Sequence, residues 1–214
     1  MKDFGRKHAV QILALISLGF IILTILIIVF PNSWLDSEFS EEVQEHHNSA
    51  IDFLMEGISW FGHFWISTSM VLASATLLFI FKKKREAIYC AATLLIGLIT
   101  YLIKNLINRP RPNSDLVRVI VDTQHQSFPS GHVSFYIVFF GFIAFIFHHR
   151  KWLSKLPRRV IIFFCLFLIL TVPISRIYLG AHWFTDVLGG FLLGSIFLGF
   201  LLFLYLKKEH HQTS

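Results

Sequence analysis

Residues 9–30 read AVQILALISLGFIILTILIIVF. The run carries no charge, and it exceeds the roughly 20 apolar residues a helix needs to cross a bilayer core of about 30 Å. Lys2, Arg6 and Lys7 precede it and Pro31 follows it. It is too long for a signal peptide, and no small-x-small cleavage site follows, so it predicts a first transmembrane helix. Further apolar runs predict spans at about 60–81, 87–107, 132–147, 160–174 and 187–206. The runs are continuous rather than alternating, which predicts helices and not a β-barrel. Over the 214 residues, 55% are hydrophobic and 15% charged, with a mean hydropathy of +0.64. That surface is too apolar for a soluble domain. The expected fold is an all-α integral membrane protein with six transmembrane helices, forming a single domain over residues 1–214.

Charge sets the expected orientation. Basic residues gather at the N-terminus, at Lys82 to Arg85, between His148 and Arg159, and at Lys207 and Lys208. These are alternate connections, so the positive-inside rule predicts that both termini lie in the cytoplasm. Trp34, Trp60 and Trp183 then fall near the outer ends of spans and Trp152 near an inner end, as an aromatic belt would place them. The net charge of +6 is explained by these loops and is no signal for nucleic acid. Residues 32–58 hold Asp36, Glu38, Glu41, Glu42, Glu45, Asp52 and Glu56 without Lys or Arg. Phe39, Val43, Ala50, Leu54 and Ile58 recur there at helical spacing. The stretch predicts one or two amphipathic helices on the membrane surface, or else a solvated connector. Cys90 and Cys165 lie inside apolar runs and are expected to pack rather than to bond or ligate. The loop pairs His46-His47, His148-His149 and His210-His211 are expected to be solvated. Gly190 and Gly194, four apart, suit close helix packing within the chain.

Three polar islands break the apolar pattern on the predicted outer side. The first runs from Lys104 through Arg109, Pro110 and Arg111 to Pro112. With Arg118, it puts positive charge where the rule expects none. An anionic ligand accounts for that, and contact with lipid phosphates is the alternative. The second is Pro129-Ser130-Gly131-His132, a turn at the start of a helix, where free N–H groups make an anion site. A capping turn with no ligand is its plain reading. The third holds Ser175, Arg176, His182 and Asp186. His182 and Asp186 are four apart, so on a helix they share a face. A carboxylate on one imidazole nitrogen leaves the other free and more nucleophilic. A Lys, Arg or Asp at the bilayer centre costs about 2.5–3.5 kcal/mol, whereas a charge-assisted hydrogen bond to phosphate returns about 1.5–3 kcal/mol. Cations, a helix N-terminus and two histidines on one side therefore match phosphoryl transfer.

Lys104-x6-Arg111-Pro112, Pro129-Ser130-Gly131-His132 and Ser175-Arg176-x5-His182-x3-Asp186 resemble the three signature motifs of the type 2 phosphatidic acid phosphatase superfamily, with every signature position filled. Within it, the chain resembles the bacterial membrane lipid phosphatases of the phosphatidylglycerophosphate phosphatase B type. The resemblance implies that His182 attacks phosphorus to form a phosphohistidine, with Asp186 orienting it. His132 would protonate the leaving group and then activate water. Lys104, Arg111, Arg176, Ser130 and the Gly131 N–H would hold the phosphate. Arg109 falls outside the motif and is left a headgroup contact. The implied reaction needs no cofactor and no metal. Its partners are a membrane lipid phosphate and the bilayer, with no nucleic acid and no obligatory protein partner. Candidate substrates are phosphatidylglycerophosphate, undecaprenyl diphosphate and phosphatidic acid. A dedicated undecaprenyl diphosphate phosphatase is one alternative, and a non-catalytic lipid-phosphate binder or transporter is another.

Overall fold

The computed structural model describes residues 2–31, 33–121, 123 and 126–210. Every regular element among them is an α-helix: α1 (Lys2–Val29), α2 (Trp34–Gln44), α3 (Ser49–Trp60), α4 (Phe64–Ile80), α5 (Lys84–Ala92), α6 (Leu95–Ile107), α7 (Gly131–Arg150), α8 (Lys155–Tyr178) and α9 (Phe184–His210). Among the described residues, five stretches are long and apolar enough to cross a membrane: Lys7–Val29, Lys84–Ile107, Gly131–Arg150, Lys155–Tyr178 and Phe184–Lys207. The stretch expected at 60–81 departs from this pattern. α4 alone has 17 residues, at the short end of what crosses a bilayer, and α3 and α4 taken together across a bend of 50° make a sixth candidate crossing. At the bend, Gly62 lies against the His132 ring, where a Cβ would come within 2.1 Å of it. Only a residue without a side chain lets the backbone pass so close.

Two other spans differ from a plain rod. Between α5 and α6 the amides of Thr93, Leu94, Ile96 and Gly97 bond three residues back rather than four. The Thr93 hydroxyl also donates to the Cys90 carbonyl at 2.6 Å. That local 3₁₀ winding lets one span continue through a break. α8 was expected to end near residue 174, yet it runs through Pro173 to Tyr178. Ser175 and Arg176 are therefore helical rather than part of a polar connector. Tertiary packing holds a proline in such a helix once neighbours satisfy the freed backbone groups.

α7 is the axis of the bundle. It is buried on nearly every side, and Tyr136, Phe142 and Ile146 are among its fully covered residues. A helix that is apolar all round belongs in the centre. α9 packs on it through Gly190, which faces the Ser130 carbonyl, and Gly194, which faces Ile137. The Ser134 hydroxyl donates to the Gly190 carbonyl at 3.1 Å. Cys90 and Cys165 are free and buried. α1 and the outer faces of α4, α6 and α8 carry large exposed apolar side chains, such as Leu15, Phe79, Leu106 and Phe163. In lipid such exposure carries no penalty.

The acidic stretch forms two helices, α2 and α3, and α2 turns a polar stripe inward. Asp36, Ser40 and Gln44 are one turn apart, and all three are buried. Trp34, Leu35 and Phe39 are exposed on the same helix. The polar stripe faces the protein, while the glutamates Glu38, Glu41 and Glu42 are exposed too, Val43 packs against the core and Phe39 stacks on Phe184 at 4.0 Å. The protein interior supplies the hydrogen bonds that the buried stripe needs. Gln44 makes use of them, donating to the carbonyls of Arg118 at 2.8 Å and Tyr178 at 3.0 Å and accepting from the Arg118 amide. α3 is held in turn by Asp52, which accepts from Arg118 at 2.7 Å and from the Tyr178 hydroxyl at 2.6 Å.

Candidate active site

Four helix ends and one loop meet at one end of the bundle. α6 stops at Asn108, which takes a left-handed conformation at φ 51°, a common way to end a helix. Lys104 sits on its last turn. The loop that follows returns on itself, with the Ser127 amide donating to the Arg109 carbonyl at 2.9 Å. The Phe128–Pro129 peptide is cis. α7 then begins at Gly131 with Ser130 as its N-cap. An N-cap serine ordinarily bonds the helix's free amides. Ser130 makes no such bond, so its hydroxyl is available. Arg176 lies on the last turn of α8, and its carbonyl accepts from the amides of Ala181 and His182. Gly180 turns the chain between them at φ 66°, pressed against the Arg118 carbonyl. α9 follows, with Asp186 at its third position. The Asp186 carboxylate reaches back to the Trp183 amide at 2.9 Å, the reciprocal half of a capping box.

The sequence-predicted residues lie together. Asp186 Oδ2 stands 3.6 Å from His182 Nδ1. On the far side of the ring, Arg111 stands 3.3 Å from His182 Nε2 and also donates to the Ala181 carbonyl. Lys104 is 8% exposed, and its Nζ is held by the carbonyls of Gln126 and Ser127. Arg176 is 1% exposed and donates to the Ser59 hydroxyl. Neither cation points into lipid. His132, at the first turn of α7, meets His63 edge-on at 5.8 Å between ring centres. Its ring lies within electrostatic reach of Arg176, His182 and Arg111. Gly131 keeps only an ordinary contact with Thr100.

The polar atoms of the site divide into two sets. Ser130 Oγ, His132 Nε2 and Arg176 Nε are buried and meet no hydrogen-bond partner among the described residues. Such an atom costs about 1–3 kcal/mol; Arg85, Thr100 and Thr123 carry others, and those of Ser130, His132 and Arg176 stand apart because they belong to the polar motifs. Asp186, by contrast, is fully engaged. Arg109 donates to its Oδ1 at 2.6 Å, and the Ser127 hydroxyl donates to its Oδ2. Burial, followed by the charges of Arg111, Lys104 and Arg176, holds His182 well below the usual histidine range. At neutral pH the ring is therefore the free base, with a lone pair at Nε2. A cavity of about 290 Å³ opens beside Arg176, lined by Phe53, Glu56, Trp60, His63 and Leu179. Among the described residues, no three His, Cys, Asp or Glu side chains converge as metal ligands.

Two expectations need correction. Arg109 is not a headgroup contact: it is 3% exposed and bridges Asp186 and Asp36 through the two arms of its guanidinium. Trp183 is no belt anchor either. It is buried, and its indole N–H donates to the Pro110 carbonyl at 3.3 Å. Asp36, Ser59, Gly62, Ser127 and Thr185 also shape the site, and sequence reasoning did not find them. For Arg109 there was a signal: a third arginine among prolines on the predicted outer side.

The chain is similar to known proteins in sequence and in fold. The family described as the PAP2 superfamily matches residues 85–210. Phosphatidylglycerophosphatase B of Bacillus subtilis (strain 168) is 33% identical over 145 residues, covering 66% of this chain and 68% of that protein. Undecaprenyl-diphosphatase BcrC of the same strain is 30% identical over 161 residues, covering 74% of this chain and 76% of that protein. Among solved structures, the transmembrane PAP2 type phosphatidylglycerolphosphate phosphatase from Bacillus subtilis superimposes with a TM-score of 0.77 at 26% identity, over 93% of this chain and 96% of that one. LpxE of Aquifex aeolicus superimposes with a TM-score of 0.60 at 25% identity, over 82% of this chain and 97% of that one.

Proposed function

The chain belongs to the PAP2 superfamily, and on that footing we propose that it removes phosphate from a membrane lipid phosphate or diphosphate through a phosphohistidine at His182. The observation that carries the reading is the set of buried, unpartnered atoms of Ser130, His132 and Arg176, next to an imidazole held as the free base. A bound phosphate would engage all three. His182 Nε2 attacks phosphorus, and the bond from phosphorus to the lipid oxygen breaks. His132 Nε2 gives its proton to the departing oxygen; the anionic substrate itself favours the protonated imidazole that this step needs. Water then attacks the phosphohistidine, His132 takes the water's proton, and inorganic phosphate leaves. Lys104, Arg111 and Arg176, with Ser130 and the Gly131 N–H, hold the phosphoryl oxygens, where positive charge stabilises the transition state. In this reading they do without a metal.

Phosphatidylglycerophosphate, undecaprenyl diphosphate and phosphatidic acid are the proposed substrates, and the relatives' names support the first two. The whole chain would act as one membrane domain with both termini in the cytoplasm and the site outside it. The basic residues at the other ends of the helices, Lys82 to Arg85 and Arg150 to Arg159, support that orientation. Purified protein in detergent should release inorganic phosphate from one of these lipids with EDTA present, and vanadate should inhibit it. Activity that appears only on adding a divalent metal would overturn the mechanism.

A further inference from the structure

α2 supplies none of the residues assigned to phosphate, yet it reaches the site through Asp36. That carboxylate is 2% exposed. It accepts from the Thr185 amide at 2.8 Å, capping α9 from a different helix, and from the Thr185 hydroxyl at 2.9 Å. Arg109 Nη2 donates to it at 2.6 Å, while Arg109 Nη1 donates to Asp186 at 2.6 Å and to Thr185 at 2.7 Å. One guanidinium is thus shared between two buried carboxylates. An arginine serving Asp186 alone would neutralise it and draw its charge away from the imidazole. Two carboxylates around one guanidinium leave a net negative charge beside His182, on the Nδ1 side. That is where positive charge grows as Nε2 bonds to phosphorus.

We propose that Asp36 and Arg109 are positioning residues, and that Asp36 keeps the Asp186 charge available to His182 during phosphoryl transfer. The proposal gives the acidic stretch after α1 a part in catalysis. It rests on His182 being the nucleophile. A purely architectural role, clamping α2 to the bundle, is the competing explanation, and Gln44 serves as its control. Gln44 clamps the same helix through neutral hydrogen bonds and touches no ionised group of the site.

The test compares Asp36→Asn, Arg109→Lys, Gln44→Ala and His182→Ala as purified proteins in mixed micelles. The probe is whichever of phosphatidylglycerophosphate, undecaprenyl diphosphate and phosphatidic acid the wild type turns over fastest. Asp36→Asn should lower kcat by on the order of tenfold to a hundredfold, the scale of a small misplacement of reacting groups. KM, and the inhibition constant of inorganic phosphate, should stay within about twofold, because the cations of the phosphate site are untouched. Gln44→Ala should lower thermal stability and keep kcat within about twofold. Equal loss of kcat in Asp36→Asn and Gln44→Ala, or wild-type kcat in Asp36→Asn, overturns the proposal. Should Asp36→Asn not fold, Arg109→Lys carries the test. It keeps one charge but cannot fork to both carboxylates, and wild-type kcat there is equally fatal. His182→Ala separates the two readings. Residual turnover in that variant sinks the phosphohistidine itself, whereas an inert His182→Ala beside a fully active Asp36→Asn sinks this inference alone.

Discussion

On the Nδ1 side of His182, Asp186 meets Arg109, the Ser127 hydroxyl and the Trp183 amide, and behind Arg109 stands Asp36. Elsewhere in the site, Ser130 Oγ, His132 Nε2 and Arg176 Nε are buried and meet no hydrogen-bond partner among the described residues. The site thus has a closed side and an open one. The closed side fixes the ring before substrate arrives, since breaking a buried ion pair by removing one partner costs about 3–5 kcal/mol. The open side is the reverse: its atoms gain about 1.5–3 kcal/mol each when a charged oxygen enters. Rigidity is placed where orientation matters, and unsatisfied polarity where a ligand must be preferred.

The hardest blow to this contrast is His182→Ala, which removes the ring that the closed side holds. Turnover should fall by on the order of 10⁴-fold or more, as when a nucleophile is deleted, measured as phosphate release. Arg176→Lys tests the open side. It keeps the charge but loses the buried Nε donor, and kcat/KM should drop about 10²–10³-fold, the usual cost of one transition-state donor. Gly62→Ala should push the His132 ring aside, because the new methyl would sit 2.1 Å from it. A kcat loss on the order of tenfold to a hundredfold is expected, with KM little changed.

The pH profile offers a finer reading. Burial and the cations Arg111, Lys104 and Arg176 hold His182 well below 6.5, against the opposing charge of Asp186 and next to the titratable His132. A lowered pKa means that the free base persists into mildly acidic solution, so the acid limb of kcat/KM should lie below pH 6.5. Lys104→Gln removes one of those cations, and the limb should move to higher pH. The smallest effect belongs to the opposite end of the bundle. There Glu86 accepts from Arg150 at 2.9 Å and from the Tyr205 hydroxyl at 2.9 Å. Glu86→Gln should lower the thermal midpoint and leave kcat within about twofold, as for a distant, independent site.

The open side was legible in the sequence. Its residues fall in short motifs, and each interrupts an apolar run where a polar group would otherwise be costly. Of the closed side only Asp186 was legible, through its spacing from His182. Asp36 lies 149 positions from Thr185 and 73 from Arg109, and nothing local ties them. Its helix, α2, could be expected from the spacing, but a pattern of polar and apolar faces predicts two surfaces and not which residue meets which partner. The spans at 9–30 and 132–147 were clear because runs of apolar residues need no partner to be recognised. The close approach at Gly62 was hidden because the ring it meets is seventy positions away.

The cavity beside Arg176 is bordered by α3 and α8, both of which carry exposed apolar side chains such as Phe53 and Phe163. A lipid phosphatase of this build would meet its substrate within the leaflet, so turnover should follow the two-dimensional crowding of substrate in its micelle or vesicle. Diluting the substrate with inert detergent should slow the reaction even when its amount per litre is held constant.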